Sequence, residues 1–130
     1  MTKRKPKITL ESFGRYSKWE KTNRKLPKIL EFTNIIEAVE GNEFGLIMKI
    51  EGGKGIKLDY TIRHPSFKNE AGLTEPDFMG EYYVTSNQHE FYVGDCIGLP
   101  VEDKVGLWEI NVCCNEKIII SKKFQIIIPE

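Results

Sequence analysis

Val105-Gly-Leu-Trp-Glu-Ile-Asn-Val-Cys-Cys-Asn-Glu-Lys-Ile-Ile-Ile-Ser-Lys-Lys-Phe-Gln-Ile-Ile-Ile128 reads as a β-hairpin that closes an antiparallel sandwich. Trp108, Ile110, Val112 and Cys114 share one parity, and Leu107, Glu109, Asn111 and Cys113 the other. That period of two is what a strand with one buried face requires. Asn115-Glu116 supplies the turn, because Asn tolerates the left-handed backbone of tight hairpins. On the return strand Phe124, Ile126 and Ile128 are expected to face one way.

Two upstream segments repeat the pattern. In Glu43–Glu51, Phe44, Leu46, Met48 and Ile50 alternate with a polar-leaning set that begins at Glu43. In Ile56–Arg63, Ile56, Leu58, Tyr60 and Ile62 alternate with Lys57, Asp59, Thr61 and Arg63. Gly52-Gly53-Lys54-Gly55 joins the two as a hairpin loop. An apolar face backed by a polar one fits antiparallel sheets stacked face to face better than a parallel α/β sheet. Lys7–Tyr16 predicts a first strand, with Ile8, Leu10 and Tyr16 in phase and Gly14 at a bulge or close backbone approach. Ile29–Val39 predicts a second, interrupted near Asn34 and followed by a tight turn at Glu40-Gly41-Asn42. His64-Pro65 ends the strand before it, since Pro lacks a backbone donor. Residues 65–80 read as a long connection, Glu81–Val84 and Glu90–Val93 as short strands, and Gly94 to Lys104 as loop. No segment sustains a helical period. The expectation is an all-β chain: one antiparallel β-sandwich of about seven strands over residues 1–130, with residues 1–6 a flexible basic tail.

Asp103-Lys-Val-Gly106-Leu-Trp108 resembles the turn that enters the penultimate strand of immunoglobulin-like domains, although no cysteine pair accompanies it. Phe44-Gly45, His64-Pro65, Gly106-Leu-Trp108 and the closing Phe124-Gln-Ile together resemble a short bacterial domain family of unknown function. The resemblance spans most of residues 8–128. It implies an immunoglobulin-like sandwich and no particular activity.

At 130 residues one domain buries roughly two-thirds of its unfolded surface without a metal or disulfide staple. Apolar residues make up 40% and charged residues 29%, ordinary for a globular chain, and no apolar run approaches the ~20 residues that span a bilayer. The basic amino terminus lacks the apolar stretch of a secretory signal, so a cytoplasmic location is expected. Cys113 and Cys114 are neighbours whose direct disulfide would be strained, and Cys96 could pair with only one of them. Reduced thiols follow, with Cys114 a small buried hydrophobe and Cys113 partly exposed.

The search for chemistry is mostly negative. His64, His89 and Cys96 beside Asp95 have no recognised ligand spacing, so neither a metal site nor a Cys-His pair is expected. No serine lies in a nucleophile elbow. Glu102-Asp103 and Glu75-Pro-Asp77 read as solvated loop carboxylates. Gly52-Gly53-Lys54-Gly55 lacks the following helix and the Ser or Thr of a phosphate loop. The net charge of zero conceals an asymmetry: residues 1–28 hold ten Lys/Arg against two acidic residues. These readings lead to a non-enzymatic module without cofactor that binds another protein, acidic in charge, in an adaptor or toxin-neutralising role. Lys7–Tyr16 is its expected exposed edge strand, and Arg15, Tyr16, Lys18, Trp19, Lys21, Arg24 and Lys25 are its expected contact residues. Basic residues beside aromatics also suit single-stranded nucleic acid, although the pI of 6.7 is below that of a dedicated nucleic-acid domain. A small-ligand site in the 65–80 and 94–104 loops is a third reading, which a polar pocket lined by His64 or His89 would favour.

Overall fold

The computed structural model describes residues 6–19 and 25–129. Among these residues nine strands follow one another: β1 (Lys7–Tyr16), β2 (Ile29–Glu31), β3 (Ile35–Glu37), β4 (Glu43–Glu51), β5 (Lys57–Arg63), β6 (Phe78–Tyr83), β7 (Gln88–Cys96), β8 (Gly106–Cys114) and β9 (Lys117–Ile127). They form two stacked sheets, ordered β2-β1-β4-β7 and β3-β9-β8-β5-β6. This is an immunoglobulin-like β-sandwich, with two more strands than the sequence predicts.

The terminal hairpin is built as its parity requires. Trp108, Ile110, Val112, Phe124 and Ile126 are at most 1% exposed, and the turn residues Asn115 and Glu116 have φ of 51° and 68°, as a primed hairpin turn demands. A register shift between Val112 and Cys113 leaves Cys113 and Cys114 both half-buried. β9 ends at Ile127, so Ile128 is 70% exposed rather than inward-facing. Trp108 packs edge-on against Phe44 of the opposite sheet, with centroids 5.3 Å apart. Its Nε1 donates to the Lys104 carbonyl at 2.8 Å.

The predicted second strand is two strands in different sheets. β2 pairs with β1 antiparallel, whereas β3 pairs with β9 in parallel. Thr33 makes the break: its hydroxyl accepts from the Ile35 N–H at 3.0 Å, a local turn that competes with the ladder.

β1 has the predicted bounds but not the predicted phase. Its pairing with β4 shifts between Leu10 and Ser12. The extra residue, Glu11, is a bulge that exchanges the two faces. Before the bulge Ile8 and Leu10 keep their shared phase opposite Ile50 and Met48; after it Phe13 leans on the main core and Tyr16 points to the far side of the sheet.

Candidate partner-binding cleft

The alternation in β4 predicts a wet face at Glu43, Gly45 and Ile47. All three are buried. A second apolar layer covers them, formed by Tyr16 and Tyr92 with Trp19, Leu26 and Ile29 packed alongside. Gly14, Gly45 and Gly94 lie directly opposite one another across β1, β4 and β7. That row of glycines leaves room for the layer. A Cβ on Gly94 would stand 2.1 Å from the Tyr92 hydroxyl, and one on Gly45 2.2 Å from the Val93 carbonyl oxygen. Tyr92 can thus lie flat along its own strand. The 17–28 segment that carries Trp19 is clamped at its base, where the Ser17 N–H donates to the Lys28 carbonyl at 2.8 Å and the Lys28 N–H to Ser17 Oγ at 2.9 Å. Trp19 meets Tyr92 edge-on at 5.2 Å and donates through Nε1 to the Lys25 carbonyl at 3.1 Å.

Under this layer sits a buried carboxyl. The Tyr92 hydroxyl lies 2.5 Å from Glu43 Oε2 and 2.9 Å from the Phe44 carbonyl oxygen. The phenolic proton is donated toward both acceptors, in a three-centre arrangement between the Glu43 carboxyl and the Phe44 carbonyl. Burial pushes the Glu43 carboxyl above its ordinary value, Asp95 adds to the rise, and the bonds from Tyr92 and the Trp19 backbone oppose it. Burial likewise raises Tyr16 to about 12 and lifts Tyr92 further still.

Next to this layer the sandwich stands open. β6 and β7 end their respective sheets on the same side, joined by the short crossover at residues 84–87. At the crossover the gap is shut by Tyr82 stacked on Phe91, centroids 4.4 Å apart and 6° from parallel. Away from it the strands diverge around a cleft of about 680 Å³, with Trp19 and Tyr92 at one wall and Tyr60 and Phe78 at the other. Gly80 allows this shape, since a Cβ there would meet the Tyr60 hydroxyl at 2.4 Å. Among the described residues, Asp77, Glu81 and Asp95 line the cleft and no Lys or Arg does. Met79 on its rim is 78% exposed and nearby Tyr83 60%.

The expected contact residues divide. Tyr16 is 2% exposed, so its ring is packing and offers no face to a partner: the bulge at Glu11 turned it under the second layer. Trp19 is half-buried and lines the cleft. Arg15 is held 3.5 Å from Glu31. Lys18 lies near enough to Cys96 to oppose the rise in its thiol pKa, which burial and then Glu43 and Asp95 drive. Lys25 gives its carbonyl to Trp19, and Lys21 and Arg24 lie outside the described residues, as do all but Pro6 of the expected tail. β1 pairs with β2 only at Arg15 and Tyr16, so among the described residues most of its length has one strand neighbour, as an edge does. Neither histidine lines the cleft. His64 places its ring nitrogens 2.7 Å and 2.8 Å from the Pro65 and Pro76 carbonyls and tethers the long connection. His89 bonds the Tyr82 hydroxyl. Sequence reasoning missed Tyr60, Tyr82, Tyr92, Gly80 and Gly94. The available signal was a glycine next to each of two short aromatic-bearing strands, Gly80 before Glu81–Val84 and Gly94 after Glu90–Val93.

The family described as "Domain of unknown function (DUF3859)" matches residues 4–126. No curated protein matches the chain. An immunoglobulin-like protein from Pseudomonas aeruginosa superposes with a TM-score of 0.74 at 15% identity, over 93% of this chain and 97% of its own. The alkylpurine DNA glycosylase AlkC of Pseudomonas fluorescens, bound to DNA containing an abasic site analog, gives a TM-score of 0.41 at 16% identity, over 72% of this chain and 27% of its own. The first likeness shows the fold; the second carries no argument.

Proposed function

The chain belongs to the DUF3859 family, and we propose that it is a non-catalytic module that binds another protein by taking an extended partner segment into the cleft between β6 and β7. The observation that carries this reading is the pairing of two sheet-ending strands around one aromatic-walled opening. A strand at a sheet edge presents backbone donors and acceptors to an added strand. A volume of about 680 Å³ is within the range of sites that hold a ligand. The exposed Met79 and Tyr83 extend the apolar surface past the rim, as interaction patches do. The basic segment keeps a part in this reading through Trp19, which forms one wall.

The test is selection of short displayed peptides against the protein, followed by binding to two variants. Met79→Arg alters the rim at an exposed position and should leave the melting temperature unchanged while weakening the selected peptides about tenfold or more. Ile118→Arg, also at an exposed position but in the terminal hairpin, should leave them bound. Peptides that ignore Met79→Arg yet lose affinity when Lys18 and Lys25 are reversed to Glu would move the binding surface to the basic segment.

A further inference from the structure

We infer that the partner segment joins the sheet as an extra strand on β7, bonding the backbone of Tyr92 and Gly94 and sending one apolar side chain inward at the level of Val93. This rests on the protein-binding reading above and names the edge used and the pattern the partner must carry. In an antiparallel ladder alternate residues turn their backbone groups to the neighbouring strand. β7 pairs with β4 from Gln88 to Cys96 without a register shift. Just beyond its two ends the Gly52 N–H donates to the Asn87 carbonyl and the Ile97 N–H to the Asn42 carbonyl, both at 2.9 Å. The odd-numbered residues of β7 therefore face β4, and Glu90, Tyr92 and Gly94 face away from it. β7 ends its sheet, so among the described residues no strand meets those outward groups. The opening is bounded: the Ser86 hydroxyl donates to the Gln88 carbonyl at 3.0 Å, and the Cys96 N–H to Asp95 Oδ1 at 2.8 Å.

The edges on the other side of the sandwich are blunted. The Gln125 N–H donates to the Asn34 carbonyl at 2.7 Å and the Ala38 N–H to the Ile127 carbonyl at 2.8 Å, which leaves Ile35 and Glu37 as the outward residues of β3. The Thr33 hydroxyl bonds both backbone groups of Ile35, and the Glu37 carbonyl accepts from the Val39 N–H and from Asn42 Nδ2. β1 carries the bulge at Glu11, which breaks the row an added strand would need. The β7 run Phe91–Asp95 has neither device and lines the cleft without a gap. Phe91 and Val93 point to the core, so a partner residue at their level points between the sheets. At Phe91 the stack with Tyr82 fills that space. Two residues further along each strand come Val93 and Gly80, and Gly80 presents no side chain. An apolar partner residue there would lie against Tyr60 and Phe78, which line the cleft, and would be drawn in by burial. Its two neighbours lie on the other face, beside Trp19, and that extra contact favours β7 over β6.

The probes are the display-selected peptides, synthesised with a single N-methyl group at each position in turn and followed by calorimetry and by amide exchange of the labelled protein. N-methylation at alternate residues should weaken binding about tenfold, as loss of a backbone bond does, and at the residues between should cost little. Aspartate in place of the inward apolar residue should weaken binding at least as much. The bound peptide should slow exchange of the Tyr92 and Gly94 N–H groups and leave that of Val93, already bonded to β4, as it was. Protection of Met79, Glu81 and Tyr83 instead would put the strand on β6 and overturn the β7 assignment. Cleft shifts without new protection on either strand, N-methyl losses at consecutive positions, or tolerance of the aspartate would overturn strand addition and leave the protein-binding reading standing. Peptides that shift no cleft amide at all would overturn both.

Discussion

Replacing Glu43 by Gln should make the protein's stability less sensitive to rising pH. The Glu43 carboxyl is 5% exposed and, mainly through burial, titrates above its ordinary value of 4.5. Between those two values the folded chain holds a proton that the unfolded chain has released. The stability from this group is therefore complete below the ordinary value and is lost as pH climbs through the folded one. One proton sets a ceiling of about 1.4 kcal/mol per pH unit on that slope. A glutamine amide has no such proton, yet its oxygen still accepts from Tyr92 or the Trp19 N–H. The difference between the two proteins cancels whatever is remote from Glu43. Urea melts of both, from about pH 4 to 8, should show the variant gaining on the wild type as pH rises and then levelling off. A flat difference would mean that Glu43 is not shifted. A variant that loses ground with pH would mean that the bonds from Tyr92 and Trp19 outweigh burial and hold an ionised carboxylate.

Trp108→Ala should cost about 3–5 kcal/mol in urea melts, since the ring is 1% exposed and bridges the sheets at Phe44, as large-to-small core changes do; a loss under about 1 kcal/mol would remove Trp108 from the core. Gly14→Ala should destabilise by about 1–3 kcal/mol or more, because φ is 141° and the new Cβ would stand 2.0 Å from the Glu31 carbonyl oxygen. A neutral melt there would show that β2 does not lie against β1. The three cysteines are free, so thiol titration of denatured, unreduced protein should find three groups. In the native protein Cys96, exposed but with its thiol raised by burial, Glu43 and Asp95, should alkylate more slowly than free cysteine near neutral pH. Faster alkylation would mean that burial, Glu43 and Asp95 do not raise this thiol.

Much of the sandwich was legible because its strands carry their own parity. β1 and β4 begin and end where alternation places them, and the terminal hairpin turns at Asn115-Glu116 as its residues dictate. The failures share a physical cause: a pattern of period two assumes constant register. One bulge at Glu11 turned Tyr16 from the main core to the second layer, and one threonine divided Ile29–Val39 between the sheets. Burial of Glu43 was illegible for a different reason. A carboxylate at an outward position reads as solvated until a distant loop is known to cover it, and that cover depends on glycines aligned across three strands. The cleft was beyond local reading altogether, since β6 and β7 face each other only once the sheets are stacked. Trp19 was singled out for its basic neighbours, yet what places it at the cleft is its contact with Tyr92.

The central claim is that partners enter between β6 and β7, and amide mapping with a bound peptide tests it most directly. Isotope-labelled protein is titrated with a peptide selected by display, and backbone and indole shifts are followed residue by residue. The account predicts that the largest changes fall on Phe78–Tyr83, on Gln88–Cys96 and on the Trp19 indole, with β1 and the outer face of β9 little moved. Changes confined to Lys7–Tyr16, or to the exposed Ile35 and Leu107 on strands of the five-stranded sheet away from β6, with the cleft undisturbed, would contradict it.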